Sequence, residues 1–215
     1  MWGKPFYKKF PQERVIPRTG QLMDAILNFD IEIFRLINTG LTAPFLDSVM
    51  VFMTQKMNFM GAVIVAAALI WILGKRQDRV GLIVLVLLVL MTDLASNMLK
   101  HYFMRVRPCN ALDGVRLLVG CGGSFSMTSS HAANIFASMV FLTARYRKFW
   151  PVFISIAVVV AYSRVYVGVH YPTDVIVGAA LGTFLALVFY SAERGYLRMK
   201  LVSGLEALRL RRSGS

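Results

Sequence analysis

Charged side chains are scarce in this sequence of 215 residues, where they make up 16% of the chain, whereas soluble domains carry about 25%. Hydrophobic residues make up 57%, and a compact domain of this length has too little interior to bury them all. The composition therefore excludes a disordered chain and argues against a soluble globular protein. Lipid is the expected surrounding for much of the surface, and we predict an integral membrane protein.

Cysteine is nearly absent, since the sequence contains only Cys109 and Cys121, which excludes a disulfide-rich scaffold. The two cysteines are twelve residues apart, each beside turn-forming proline or glycine residues. An oxidising compartment would allow them to form a disulfide, and the alternative is two unpaired thiols. The sequence also lacks carboxylate or Cys/His clusters at metal-ligand spacing, so we predict no metal site and no cofactor.

Acidic residues are outnumbered, at 11 against 24 lysines and arginines, which gives a net charge of +13. The basic residues lie between apolar runs and at the two ends, without a stripe of interleaved aromatics. We interpret them as topological anchors and contacts to anionic lipid, and we predict no nucleic-acid partner. Arg105 and Arg116 are interpreted as anchors that snorkel to the interface, with recruitment of an anionic headgroup as the alternative.

Apolar runs dominate what the sequence does contain. The clearest lie at residues 61–73, 80–98, 135–144, 150–162 and 175–190. A full crossing takes about 20 residues, so the shorter runs need flanking polar residues. Residues 22–55 alternate charged and apolar side chains at helical spacing, which indicates an interfacial amphipathic helix, followed by a short crossing at 45–54.

These patterns predict an all-α fold, an integral-membrane bundle of about six helices. We predict a membrane domain at residues 22–194, between a basic N-terminal segment (1–21) and a basic C-terminal tail (195–215). Basic clusters at residues 75–79 and 145–148 and in the tail favour the cytoplasmic side. The loops at 101–128 and 163–173 would then face outward.

Three polar clusters interrupt the apolar sequence, at residues 100–108, 126–131 and 163–174, and all three fall on the predicted external side. Ionisable side chains at membrane depth are costly and mark functional sites by default. Lys100, Arg107 and Arg164 can neutralise the charge of a phosphoryl group, which a guanidinium binds with two parallel hydrogen bonds. The inventory favours a site that handles phosphate.

The histidines of these clusters suit chemistry at phosphorus. His170 precedes Asp174 by four residues, so the carboxylate can accept a hydrogen bond from one ring nitrogen and leave the other as a nucleophile. His131 remains as a general acid for the leaving oxygen. Ser129 and Ser130 stand with His131 at the start of an apolar helix, where free backbone N–H groups form an anion site.

The three clusters resemble the signature of the type 2 phosphatidic acid phosphatase superfamily, K-x6-R-P, P-S-G-H and S-R-x5-H-x3-D. The first motif is matched in full from Lys100 to Pro108, and the third in full from Ser163 to Asp174. The second motif departs from the pattern, with threonine at position 128 in place of proline and serine at position 130 in place of glycine. Its serine and histidine are retained at positions 129 and 131.

The resemblance implies a six-helix membrane core with an external active-site loop and metal-independent hydrolysis of lipid phosphates. It implies that His170 forms a phosphohistidine, that Asp174 orients it, and that His131 protonates the leaving oxygen and then activates water. It also implies which side chains hold the phosphate oxygens: Lys100, Arg107, Ser129 and Arg164.

The sequence leaves the substrate open among undecaprenyl pyrophosphate, lipid A, phosphatidylglycerol phosphate and phosphatidic acid, and we favour the first two. The expected partners are the lipid phosphate and the bilayer, while the oligomeric state is left open. Because the hydrophobicity lies in helical runs, we expect a multi-pass protein of the bacterial inner membrane with its site facing the periplasm or exterior. The alternatives are a lipid phosphotransferase that uses the same phosphohistidine, and a non-enzymatic protein that binds or transports anionic lipids.

Overall fold

The computed structural model describes the backbone of residues 20–213, with side chains from 25 to 197 and at 199 and 200. This part of the chain is helical and contains no strand, which confirms the predicted all-α class. The α-helices are α1 (Gly20–Arg35), α2 (Pro44–Thr54), α3 (Met57–Leu73), α4 (Arg76–Phe103), α5 (Pro108–Ala111), α6 (Ser130–Arg145), α7 (Trp150–Tyr166) and α8 (Pro172–Ser213). A π-helical turn (Leu36–Gly40) follows α1, and a 3₁₀ turn (Arg147–Phe149) precedes α7.

Several of these helices are suited to a bilayer, where helices satisfy their own backbone hydrogen bonds. Within the described residues, three stretches are long and apolar enough to cross it: Arg76–Ala111, Arg147–Tyr166 and Pro172–Leu197. The end of α1 and α2 form a further apolar pair bent by 117°. The predicted interfacial helix and short crossing are thus two arms of one bent unit, in which Pro44 opens α2 at a position that needs no N–H donor. The chain is a multi-pass membrane protein.

Helices α6 and α8 approach each other closely because small residues face one another. A Cβ on Gly178 would lie 2.6 Å from the carbonyl oxygen of Ser129, and one on Gly182 would lie even closer to that of Ala133. At the start of the two helices, the Ser129 amide donates to the Asp174 carbonyl over 3.0 Å. This contact brings the second and third polar clusters together.

The opposite end of the bundle is fastened by Arg145. Its guanidinium forms ion pairs with Asp78 near the start of α4 and with Glu193 on α8. The basic clusters at 75–79 and 145–148 therefore share one end with the beginning of the basic tail, as the charge pattern predicted. Helix α8 continues through the boundary predicted at residue 195, and nearly all of the predicted N-terminal segment lies outside the described residues.

Candidate active site

The residues of the three motifs meet at the end of the bundle away from Arg145. Lys100 lies in the last turn of α4 and Arg164 in the last turn of α7, while Asp174 lies in the first turn of α8. His131 is in the first turn of α6, and His170 lies in the short loop between α7 and α8. The helix ends thus gather side chains that are far apart in sequence.

Three cations of the motifs are buried together. Lys100, Arg107 and Arg164 are each 7% exposed, and each of the three positive charges interacts unfavourably with another of the group. Within the described residues, none of the three forms an ion pair with a carboxylate. Burying positive charges together without such an ion pair is unfavourable.

The two arginines of the cluster are oriented by neutral groups. Arg107 donates from Nε to the Ser124 carbonyl over 2.7 Å and from Nη2 to the Ser124 hydroxyl over 2.8 Å. Arg164 donates from Nη1 to the hydroxyl of Thr54 on α2, and its buried Nε finds no acceptor within the described residues. Neither guanidinium forms an ion pair with a carboxylate of the described residues, and the charge of Asp174 acts favourably on Arg107 from a greater distance.

His170 is buried beside Asp174, as the four-residue spacing predicted. Its Nδ1 lies 3.6 Å from Asp174 Oδ2, slightly beyond hydrogen-bonding length, and 3.5 Å from the Ser126 hydroxyl. Asp174 Oδ2 accepts hydrogen bonds from Ser126 Oγ and from the Tyr171 amide, the latter over 2.9 Å. With the proton on Nδ1, the lone pair of Nε2 is free to attack an electrophile.

The surroundings of His170 keep its ring neutral. The residue lies between the ends of α7 and α8, where burial lowers the pKa of the imidazole from 6.5 to about 4. The nearby positive charges of Arg164 and Arg107 act in the same direction, while the carboxylate of Asp174 opposes them. At neutral pH the ring is therefore unprotonated, which is the form that a nucleophile requires.

His131 is half-buried at the start of α6, and its imidazole is close enough to that of His170 to interact with it electrostatically. The hydroxyl groups of the neighbouring serines have partners in the protein. Ser129 Oγ accepts from the Ala132 amide over 3.5 Å as the cap of α6, and Ser130 Oγ lies 2.8 Å from Ser96 Oγ. A role for either serine toward phosphate remains a prediction, in which the hydroxyl would exchange a partner or share it.

A cavity of about 560 Å³ adjoins His131 and Ser130. Its apolar lining comes mainly from α3, α4, α6 and α7, and includes Met60, Val63, Val89, Met139 and Ile156. Met60 and Val63 are 40% and 60% exposed, so the cavity reaches the outer, lipid-facing side of the bundle. Its polar lining includes Lys56 and Asp93, and the Asp93 carboxylate accepts from Asn97 and Asn134.

The interpretation of Arg105 as a snorkelling anchor is wrong, because its side chain pairs with two buried carboxylates. Arg105 lies between Asp174 and Asp30, at 2.8 and 2.6 Å, and Arg116 pairs with Asp47. The sequence did offer one signal that Arg105 belongs to the site, because it lies two residues before Arg107 of the first motif. Ser126 lies in the second polar cluster, but the sequence did not indicate its contact with Asp174, and it gave no signal for the importance of Asp30.

Cys109 and Cys121 form a disulfide, with their Cα atoms 6.1 Å apart. Cys109 follows the Arg107-Pro108 pair directly, and a Cβ on Gly122 would lie 3.6 Å from the Arg107 guanidinium. The bond therefore joins the segment that carries Arg107 to the loop that holds its acceptor, Ser124.

A family model described as the PAP2 superfamily matches residues 81–196, a range that contains all three motifs. An undecaprenyl-diphosphatase from Sulfolobus acidocaldarius is 32% identical over 169 residues, which cover 78% of this chain and 80% of that protein. A lipid A 4'-phosphatase from Bacteroides thetaiotaomicron is 30% identical over 198 residues, 86% of this chain and 84% of that protein. The crystal structure of the first transmembrane PAP2 type phosphatidylglycerolphosphate phosphatase from Bacillus subtilis superposes with a TM-score of 0.65 at 25% identity, covering 80% of this chain and 88% of that chain. The chain therefore belongs to the PAP2 (type 2 phosphatidic acid phosphatase) superfamily, as its three motifs predicted.

Proposed function

We propose that this protein is a metal-independent phosphatase of membrane lipids that works through a phosphohistidine at His170. The observation that carries the proposal is the buried cluster of Lys100, Arg107 and Arg164, none of which forms an ion pair with a carboxylate of the described residues. A phosphate group supplies the missing negative charge, and the cations stabilise the further charge that develops on its oxygens during transfer.

In the first step, the lone pair of His170 Nε2 attacks phosphorus while the bond from phosphorus to the leaving oxygen breaks. Burial and the positive charges of Arg164, Lys56 and Lys100 oppose protonation of His131, and a bound phosphate anion favours it. Protonated His131 then gives its proton to the leaving oxygen, and Asp174 stabilises the Nδ1–H of the phosphorylated ring. In the second step, neutral His131 accepts a proton from water as the water oxygen attacks phosphorus. The P–N bond then breaks, its electrons return to Nε2, and inorganic phosphate leaves.

The cavity beside His131 supports a lipid as the leaving group. It offers apolar side chains to a hydrocarbon chain directly beside the residue that protonates the leaving oxygen. Lys56 lines the same cavity. When a lipid diphosphate loses its terminal phosphate, the phosphate that stays on the lipid would therefore lie near the positive charge of Lys56. We therefore propose a bacterial envelope lipid as substrate, undecaprenyl pyrophosphate first and lipid A second, in agreement with the activities named for the two relatives.

We further propose that the site faces the periplasm or the cell exterior across the bacterial inner membrane. Support comes from the basic clusters, which share the end of the bundle opposite the site, because cytoplasmic loops are enriched in lysine and arginine.

The test is phosphate release in detergent with excess chelator, using a panel of lipid diphosphates and monophosphates. We expect the parent to release phosphate and His170→Ala to release none. His101→Ala is the matched control, because His101 is exposed, lies outside the three motif positions and has its ring against Phe125. If the parent releases no phosphate from any lipid of the panel, the result would favour a receptor that binds anionic lipids. If the chelator abolishes activity, the result would refute the metal-independent route. Transfer of phosphate to a second lipid without release to water would indicate the phosphotransferase.

A further inference from the structure

Arg105 lies at the centre of a buried network behind the proposed nucleophile. Its Nη1 donates to Asp174 Oδ1 over 2.8 Å and to Thr173 Oγ1 over 2.7 Å, and its Nη2 donates to Asp30 Oδ2 over 2.6 Å. The side chains of the two aspartates are 0% and 1% exposed, and that of Arg105 is 17% exposed. The guanidinium also lies over the Tyr171 ring, 3.9 Å from its centre, in a cation–π contact.

The two oxygens of Asp174 have different partners. Oδ1 binds Arg105, whereas Oδ2 accepts from Ser126 and the Tyr171 amide and faces Nδ1 of His170 at 3.6 Å. A carboxylate is planar, so fixing Oδ1 also fixes the direction in which Oδ2 points. Arg105 therefore acts together with Ser126 and the Tyr171 amide to fix the oxygen that faces the imidazole.

Asp30 holds Arg105 in place from the first helix. It accepts from the Thr173 amide over 3.0 Å and from the Thr173 hydroxyl over 2.6 Å, which attaches α1 to the first turn of α8. The bond from Arg105 to Asp30 spans 75 residues of sequence, and the bond to Asp174 spans 69. The network thereby joins three separate segments of the chain close to His170, the proposed nucleophile.

We propose that Arg105, anchored by Asp30, is a positioning residue that orients Asp174 toward His170 and so sets the imidazole in its nucleophilic tautomer. The inference rests on the function proposed above. Arg105 takes no direct part in binding phosphate, because its Nη1 and Nη2 donors are committed to Thr173, Asp174 and Asp30.

The kinetic test compares Arg105→Gln, Arg105→Lys and Arg116→Gln. Arg116 is the matched control, since it pairs with Asp47 and lies near the ring of Tyr166, yet has no contact with Asp174. We expect Arg105→Gln to lower kcat and the rate of phosphohistidine formation by about 10²-fold, because small misplacements of catalytic groups have effects of this size. KM should change by no more than about threefold, since ground-state binding is retained. Arg105→Lys should recover part of the rate, and Arg116→Gln should match the parent.

A KM that rises while kcat stays constant would make Arg105 a substrate-binding cation and overturn the proposal. If Arg105→Gln and Arg116→Gln lose rate and thermal stability to the same extent, the role of Arg105 is merely structural. That result would also overturn the proposal. Asp30→Asn is the second variant if Arg105→Gln fails to fold, because it keeps the shape of the anchor. It should lower kcat by about tenfold at unchanged KM, and a kcat equal to that of the parent would refute the anchoring role.

A spectroscopic readout separates this proposal from the proposed function. In protein labelled with ¹⁵N-histidine, the ring nitrogens of His170 should report a proton fixed on Nδ1 in the parent and a mixture of tautomers in Arg105→Gln. This holds for a parent that releases no phosphate from any lipid, a result that would reject the proposed function alone. Identical His170 spectra in the two proteins would reject the positioning role.

Discussion

At the scale of single residues, the cationic side chains near the site differ in what they face. Arg105 forms ion pairs with two carboxylates, whereas Arg107 and Arg164 donate to hydroxyl and carbonyl groups. We propose that Arg105 serves the protein's own carboxylates and that the other two arginines serve a phosphate.

His131 is expected to matter in both halves of the reaction. His131→Ala should slow turnover by about 10²–10⁴-fold, the usual contribution of a general acid or base. With an aryl phosphate, whose leaving group needs no proton, the first step should be spared and phosphohistidine should accumulate as a burst. Stopped-flow release of the phenol measures this burst, with His101→Ala as control. Full steady-state turnover in His131→Ala would remove this residue from the mechanism.

Lys56 is expected to favour a diphosphate over a monophosphate, because it lines the cavity into which the leaving group departs. Lys56→Gln should lower kcat/KM for a polyprenyl diphosphate by about tenfold, since a charged hydrogen bond contributes about 1.5–3 kcal/mol before screening by solvent. The value for the monophosphate of the same lipid should stay constant. Lys148→Gln, an exposed lysine at the other end of the bundle, is the control. Equal losses on both lipids would refute this role.

The residues of the site were predictable where a motif or a short spacing links them. The separation of His170 and Asp174 by four positions predicted that they would be neighbours. Arg105 and Asp30 are 75 residues apart, and no local pattern indicates that α1 folds back onto the start of α8. The sequence pattern favours an anchor at Arg105, because a lone arginine near a helix end normally has water or lipid headgroups as partners.

At the scale of helices, the contact between α6 and α8 sets the relation of the two histidines. Gly182 faces Ala133, where the backbones leave no room for a Cβ atom. Gly182→Ala should separate the helices, lower the free energy of unfolding by about 1–3 kcal/mol as overpacking does, and reduce activity. Thermal unfolding in detergent together with phosphate release measures both effects.

Gly195→Ala is the control for this prediction, because it lies on the same helix and its added Cβ would meet nothing within 4 Å. It should be as active as the parent and at least as stable, because alanine is favoured over glycine inside a helix. A Gly182→Ala protein that also equals the parent would show that the close approach of α6 and α8 is not required.

The long helices were predictable because their apolar runs are uninterrupted, and α4, α7 and α8 contain the predicted runs at 80–98, 150–162 and 175–190. The bend of 117° between α1 and α2 was not predictable from the sequence. The charged residues of α1 suggested a helix at the membrane surface, yet Asp30 is buried against Arg105 and Thr173. An amphipathic pattern shows that one face is polar but does not show whether water or protein covers it.

At the scale of the whole molecule, the basic clusters and the proposed active site lie at opposite ends of the bundle. A reporter fused after Arg212 should therefore read cytoplasmic, since the basic tail continues from the end that Arg145 fastens. The proposed orientation places the disulfide between Cys109 and Cys121 in the oxidising compartment, where we expect it to persist. Fusion assays and gel mobility after alkylation, with and without reductant, measure the two outcomes. An external tail or equal mobility in the two gels would contradict this orientation.

The cavity that reaches the lipid-facing side of the bundle has a consequence for how such an enzyme meets its substrate. A hydrocarbon chain that enters between α3, α4, α6 and α7 arrives by lateral diffusion within the leaflet. Turnover should then follow the mole fraction of substrate in the bilayer or micelle, and adding inert detergent at a fixed bulk concentration should slow it. The two products also separate into different phases, since inorganic phosphate escapes into water while the dephosphorylated lipid stays in the membrane. There it can compete with the substrate for the same cavity.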